Sequence, residues 1–268
     1  MWVLVLCWAL SLGRSGATPH IQSRIVRGWE CLKHSQPWQV VLVHSGKIKC
    51  GGVLVNPQWV LTAAHCIQDN YTAWLGGTNL LDIAEEGQHI PVNASFPHPQ
   101  YNMSLVNNYT LDHSQDPSQD PSHDLMLLRL LHPARMTSRV QFLELPLFRP
   151  AEGTVCTMSG WGSIKQGPDT YVQTYKLQCV ELQLLSNQWC THIYSSKVTD
   201  TMICAGGFQK EGGGPCVGDS GGPLVCNGVI QGVASWGLSK CGVFGYPGIF
   251  TRVQSYVKWI IDTMEANP

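Results

Sequence analysis

The sequence predicts an all-β protein of barrel or sandwich type, and three observations carry that expectation. Short apolar runs recur between turn signals along most of the chain. Glycine and proline are frequent, 27 and 16 of 268 residues, which suits many tight connections better than long helices. Only the end has helical spacing, with Tyr256, Val257, Ile260, Ile261 and Met264 on one face. In chain order the expected strands are 38–44, 51–55, 59–62, 125–130, 155–159, 180–184, 223–226, 229–235 and 248–253.

At 268 residues the chain can hold one large domain or two small ones. It is 44% hydrophobic, enough for a core, so disorder is excluded. Charged residues are 13% and the formal net charge is −1, which argues against nucleic acid and against a basic membrane-binding face. Residues 1–12 are nearly all apolar and Ser15-Gly16-Ala17 follow, so 1–17 reads as a signal peptide, although a basic n-region is missing. The run is too short to span a membrane, and the expected location is secreted and extracellular. Of eleven cysteines, Cys7 leaves with this leader. The remaining even set reads as structural disulfides, with connectivity open. No C-x₂-C pair supports zinc.

The stretch 96–122 interrupts the strand pattern. It contains Gln115-Asp116-Pro117-Ser118 and then Gln119-Asp120-Pro121-Ser122, a tandem repeat too polar and proline-rich for a core strand. It reads as a surface loop. Sequons at Asn70, Asn93, Asn102 and Asn108 mark candidate glycosylation sites.

The chemistry concentrates near Cys216-Val217-Gly218-Asp219-Ser220-Gly221-Gly222-Pro223. Glycines permit positive φ and close chain approach, so a serine there is presented outward among free N–H groups. That suits an acyl-transfer nucleophile beside donors for an oxyanion, although a plain glycine turn reads the same way in isolation. Two upstream residues decide between them. His65 follows the apolar run Trp59-Val60-Leu61, and Asp124 opens Leu125-Met126-Leu127-Leu128, where an unpartnered carboxylate is costly. The order His65, Asp124, Ser220 argues against an α/β-hydrolase, whose order is Ser, Asp/Glu, His, and with it against a lipase or esterase. It matches the order of chymotrypsin-type proteases.

Residues 25–268 resemble a chymotrypsin-type serine protease of the kallikrein group. The resemblance rests on Ile25-Val26, Ser35-Gln36-Pro37-Trp38-Gln39, Cys50-Gly51-Gly52, Ala63-Ala64-His65-Cys66, Ser159-Gly160-Trp161-Gly162, Gly218-Asp219-Ser220-Gly221-Gly222-Pro223 and Ser235-Trp236-Gly237. The kallikrein subgroup shows in Gly28-Trp29-Glu30-Cys31, Lys33-His34-Ser35 and Ser122-His123-Asp124-Leu125. The resemblance implies two six-stranded antiparallel β-barrels packed across a catalytic cleft, with a C-terminal helix. The first barrel supplies His65 and Asp124, the second Ser220. It implies an oxyanion hole from Gly218 and Ser220, and substrate backbone pairing with Ser235, Trp236 and Gly237. The implied disulfides are Cys31–Cys179, Cys50–Cys66, Cys156–Cys226, Cys190–Cys204 and Cys216–Cys241. Residues 18–24 become an activation segment: cleavage after Arg24 frees the amino group of Ile25, which pairs with Asp219. Here Ile25-Val26-Arg27-Gly28 departs from the family's Ile-Val-Gly-Gly. The stretch 96–122 corresponds to the enlarged kallikrein loop over the cleft.

The family needs no cofactor. Its implied partners are protein or peptide substrates, serpin-type or other protease inhibitors, and an activating protease; nucleic acid and membrane are not expected, and the chain is expected to be a monomer. His98, His113 and His123 read as solvated loop histidines, with an inhibitory zinc site, as in some relatives, as the alternative.

The specificity pocket is expected from Gly214, Pro215, Gly237 and Gly248. Gly214 stands six residues before Ser220, where trypsin-like kallikreins carry an aspartate. A substrate guanidinium would be unpaired there, so the open neutral slot predicts cleavage after Tyr, Phe, Leu or Met. Two alternatives stay open: Arg/Lys preference rescued by Glu211, and a catalytically weak pseudo-protease acting as a binding protein.

Overall fold

Twelve strands form two barrels with the same strand order. A computed structural model describes residues 28–106, 120–163, 166–167, 170–171, 174–207, 213–238 and 241–268. The first barrel comprises β1 (Gln39–His44), β2 (Lys47–Asn56), β3 (Trp59–Thr62), β4 (Thr72–Leu75), β5 (Gln88–Pro97) and β6 (Met126–Leu130). It closes in the order β1-β2-β3-β6-β5-β4. The second comprises β7 (Val155–Gly160), β8 (Gln178–Leu185), β9 (Met202–Gly206), β10 (Pro223–Cys226), β11 (Val229–Trp236) and β12 (Gly248–Arg252). Its order, β7-β8-β9-β12-β11-β10, repeats the first, and β10 pairs back on β7 to close it. All pairings are antiparallel, so neither barrel leaves a long edge open. The short strand Trp29–Glu30 adds to β8 outside the closed ring.

Turn chemistry sets the register. Ser45 and Gly46 join β1 to β2 with φ of 50° and 73°, and Asn227 and Gly228 join β10 to β11 with 52° and 78°. Two residues at positive φ give the turn whose twist matches paired strands. In the first core Leu42, Leu54, Leu61, Leu75 and Leu127 are fully buried; in the second Met158, Leu182, Ile203 and Phe250 fill the barrel. The five disulfides are Cys31–Cys179, Cys50–Cys66, Cys156–Cys226, Cys190–Cys204 and Cys216–Cys241, the pairs that the resemblance implies.

Among the described residues three α-helices decorate the barrels: α1 (Leu80–Glu86), α2 (Asn187–Tyr194) and α3 (Val257–Ala266). Asn79 caps α1 by accepting the Leu81 N–H, and Ser186 caps α2 by accepting that of Trp189. Although α3 follows the second barrel in sequence, Tyr256, Ile260, Trp259 and Met264 pack on the first-barrel core. The expected helix face is corrected at one residue: Ile261 is exposed and Trp259 takes its place.

Candidate active site

His65 lies in one 3-10 turn, Ala64–Cys66, directly after β3. The Cys50–Cys66 disulfide ties that turn to β2. Asp124 stands just before β6 and is 1% exposed. Its Oδ2 lies 2.7 Å from His65 Nδ1, and its Oδ1 accepts the His65 backbone N–H at 2.9 Å. The Ser235 hydroxyl donates to Oδ2 at 2.6 Å. Burial alone raises this carboxyl; the facing His65 and these hydrogen bonds outweigh it and hold Asp124 below the usual carboxylate range. The carboxylate therefore stays ionised while holding both the ring and the backbone N–H of His65.

Ser220 is brought to the same cluster by its backbone. Gly51 N–H donates to the Ser220 carbonyl at 2.8 Å, and Gly221 N–H to Ala234 O at 2.8 Å. Gly221 has φ 77° and packs against Thr62 and Gly51; a Cβ there would stand 2.6 Å from Gly51 O and 3.3 Å from Ala63 N. Only glycine fits, and its fit sets Ser220 against the segment that ends in His65. Gly218 has φ 96°, and the N–H groups of Gly218 and Ser220 donate to nothing among the described residues. Ser220 and Ser235 both line the adjoining pocket.

The Asp219 side chain occupies a fully buried socket. It accepts the N–H groups of Gly162 at 2.9 Å and Cys216 at 3.0 Å. A Cβ on Gly162 would lie 2.6 Å from both carboxylate oxygens, so glycine there makes the socket. Burial pushes Asp219 up to about 6 against the pull of those two bonds. Among the described residues no cation pairs with it. Arg24, Ile25 and Arg27 lie outside the described residues, as do the leader and most of the duplicated loop.

The pocket beside Ser220 is lined by Gly214, Pro215, Trp236, Gly237, Tyr246 and Gly248 among others, and among the described residues no lining side chain is charged. A Cβ on Gly214 would meet nothing within 4 Å, so this end is open space. A Cβ on Gly248 would meet the Pro215 ring at 2.5 Å, so Pro215 already takes the room that Gly248 leaves. Tyr194, edge-on to Trp236 with centroids 5.2 Å apart, donates its hydroxyl to Pro247 O at 2.7 Å and braces the wall. Glu211 lies outside the described residues.

Some roles were not readable from the sequence. Ser235 was expected only as a backbone partner of substrate, and its hydroxyl serves Asp124. His98 is 8% exposed and stacks on His123 with centroids 5.1 Å apart, which corrects the solvated-loop reading for His98. His113 lies outside the described residues. The one cluster of metal-ligand type among them, Cys50, His65 and Cys66, has its two sulfurs joined in a disulfide. Asn70, Asn93 and Asn102 are exposed, and Asn108 lies outside the described residues.

Comparison with known proteins agrees with this geometry. Residues 25–260 match the trypsin family model. Human kallikrein-2 is 56% identical over 268 residues and horse kallikrein-1E2 50% over 267, each spanning all of both chains. The solved structure of neuropsin, a serine protease expressed in the limbic system of mouse brain, superposes with a TM-score of 0.79. It is 39% identical and covers 88% of this chain and 98% of its own. A buried Asp–His pair beside a glycine-held serine, on two barrels of like topology, joins full-length likeness to kallikreins: this chain belongs to the trypsin family of serine endopeptidases, in its kallikrein group.

Proposed function

We propose that the chain is a secreted, zymogen-type endopeptidase in which Asp124, His65 and Ser220 act in sequence. Asp124 holds the imidazole in the right tautomer, His65 takes the hydroxyl proton, and Ser220 attacks the peptide carbonyl. The N–H groups of Gly218 and Ser220 stabilise the oxyanion, one such donor being typically worth about 3 kcal/mol. His65 then gives its proton to the leaving amine, and water releases the acyl group by the same route. The extended substrate pairs with the backbone of Ser235, Trp236 and Gly237 as an added strand. The observation that carries this reading is the double grip of Asp124 on His65, through Nδ1 at 2.7 Å and the backbone N–H at 2.9 Å.

Residues 1–17 direct secretion and 18–24 are removed by cleavage after Arg24. Among the described residues no helix is long and apolar enough to cross a membrane. The Ile25 ammonium then enters the Asp219 socket, where a buried carboxyl pushed up to about 6 has no cation partner among the described residues. Partners of this reading are protein substrates, the activating protease, and inhibitors of serpin or other type. The neutral pocket favours Tyr, Phe, Leu or Met before the cut bond. Hydrolysis of matched tyrosine and arginine peptide amides by the activated enzyme tests this: tyrosine turns over faster, and faster arginine turnover contradicts it.

A further inference from the structure

Asp124 sits at the centre of a three-residue turn. The Leu125 N–H donates to the His123 carbonyl at 2.7 Å, across Asp124. His123 takes φ 63°, a left-handed conformation that a residue with a side chain rarely holds without support. The direction of the Asp124 carboxylate follows from this turn, so whatever holds His123 also aims Asp124.

The support comes from the far end of the chain. The Tyr256 hydroxyl and His123 Nδ1 hydrogen-bond at 2.9 Å. Tyr256 closes the 3-10 turn Val253–Tyr256 that leads into α3, and it is 4% exposed. The His98 ring stacks on His123 with 11° between planes, and Tyr256 lies edge-on to both rings, at 5.0 Å from His98 and 5.9 Å from His123. Trp259 of α3 stands edge-on to His98 at 4.9 Å. The His98 backbone N–H donates to Leu125 O at 2.8 Å, which places the stack in register with the turn. Burial and the neighbouring His123 push His98 down to about 4, so near neutral pH the His98 ring carries no charge.

We propose that Tyr256 is a positioning residue for catalysis: through its bond to His123 it maintains the strained turn in which Asp124 faces His65. This rests on Asp124 orienting His65, as read above. It gives the turn that leads into the C-terminal helix a task at the active site that its distance in sequence conceals.

The test uses the full chain, activated by arginine-directed cleavage, with kcat and KM expressed per active site titrated to completion with a fluorophosphonate. Tyr256→Phe removes the hydroxyl and keeps the ring. It lowers kcat about fivefold with KM unchanged, since a small misplacement of an orienting group costs rate and leaves binding intact. His123→Asn keeps an acceptor near the Nδ1 position and tolerates positive φ, so it stays within about twofold of wild type. His123→Val, β-branched and averse to that conformation, loses kcat about 50-fold or more. A Tyr256→Phe enzyme with wild-type kcat, even if it melts earlier, overturns the proposal, as does His123→Asn as damaged as His123→Val. Asp124→Asn separates the two levels. Full activity in that variant removes the underlying reading as well. Its inactivity beside an unaffected Tyr256→Phe removes this inference alone.

Discussion

The proposed activation pairing predicts that Asp219 makes the uncleaved and cleaved chains respond to pH in opposite directions. In the uncleaved chain burial raises it from 3.8 to about 6. A carboxyl raised on folding binds its proton more tightly in the folded state, so folding is favoured as pH falls through that window and disfavoured as pH rises through it. At 1.36 kcal/mol per unit the whole shift is worth about 3 kcal/mol, and about 2 kcal/mol of it is regained between about pH 7.5 and about pH 4.5. Asp219→Asn keeps the shape and removes the titration, so the wild type minus variant difference isolates this group from His98 and other titrating residues. For a chain of this size the uncleaved wild type gains about 4–8 °C in Tm relative to the variant on that acidification. On the proposed activation, cleavage lets the Ile25 ammonium pair with Asp219 and hold it ionised. The wild type is then the more stable form near neutral pH, and its advantage shrinks in acid. Thermal melts of both forms at both pH values decide the matter. A difference that ignores pH, or that has the same sign before and after cleavage, refutes the activation pairing.

Two further substitutions probe how the site is held. Ser235→Ala removes a 2.6 Å donor from the buried Asp124 carboxylate, and a hydrogen bond to a charged group is worth about 2 kcal/mol. Because Asp124 is held below its ordinary range, the stability deficit is present at neutral pH and fades as pH falls below about 4; denaturant melts showing no deficit at neutral pH contradict this. Gly221→Ala forces a side chain into Thr62 and Gly51 at φ 77°. It costs about 3 kcal/mol from backbone strain and overpacking, and lowers kcat about 100-fold by moving Ser220. Wild-type stability in urea together with wild-type turnover rules that account out.

Where the sequence was legible, the physics was local. Alternation and turn residues marked nine of the twelve barrel strands, because each carries a compact apolar run. Three escaped. Thr72–Leu75 is only four residues, Met202–Gly206 is short and enters a glycine-rich stretch, and Gln88–Pro97 contains Pro91 and Pro97, which argue against a strand. In the folded barrel Pro91 lies opposite Thr72, and a bulge near Asn93 absorbs the misfit with β6. The triad candidates were legible because each is an unusual residue in an apolar or glycine-rich setting. The Ser235 hydroxyl on Asp124 and the His98–His123–Tyr256 cluster were not, because they join residues more than a hundred positions apart through packing that no local pattern encodes. Gly248 misled for a related reason: a missing side chain reads as open space until Pro215 is seen filling it.

In the proposed mechanism Ser220 becomes a nucleophile because Asp124 and His65 make it one. Fluorophosphonate labelling of the arginine-cleaved chain, followed by mass mapping, measures this directly. Rapid modification at Ser220 is expected, none in Ser220→Ala, and labelling slowed by orders of magnitude in Asp124→Asn, whose amide leaves the imidazole in the wrong tautomer. A cleaved wild-type chain that takes no label, or one that labels as fast with asparagine at 124, contradicts it.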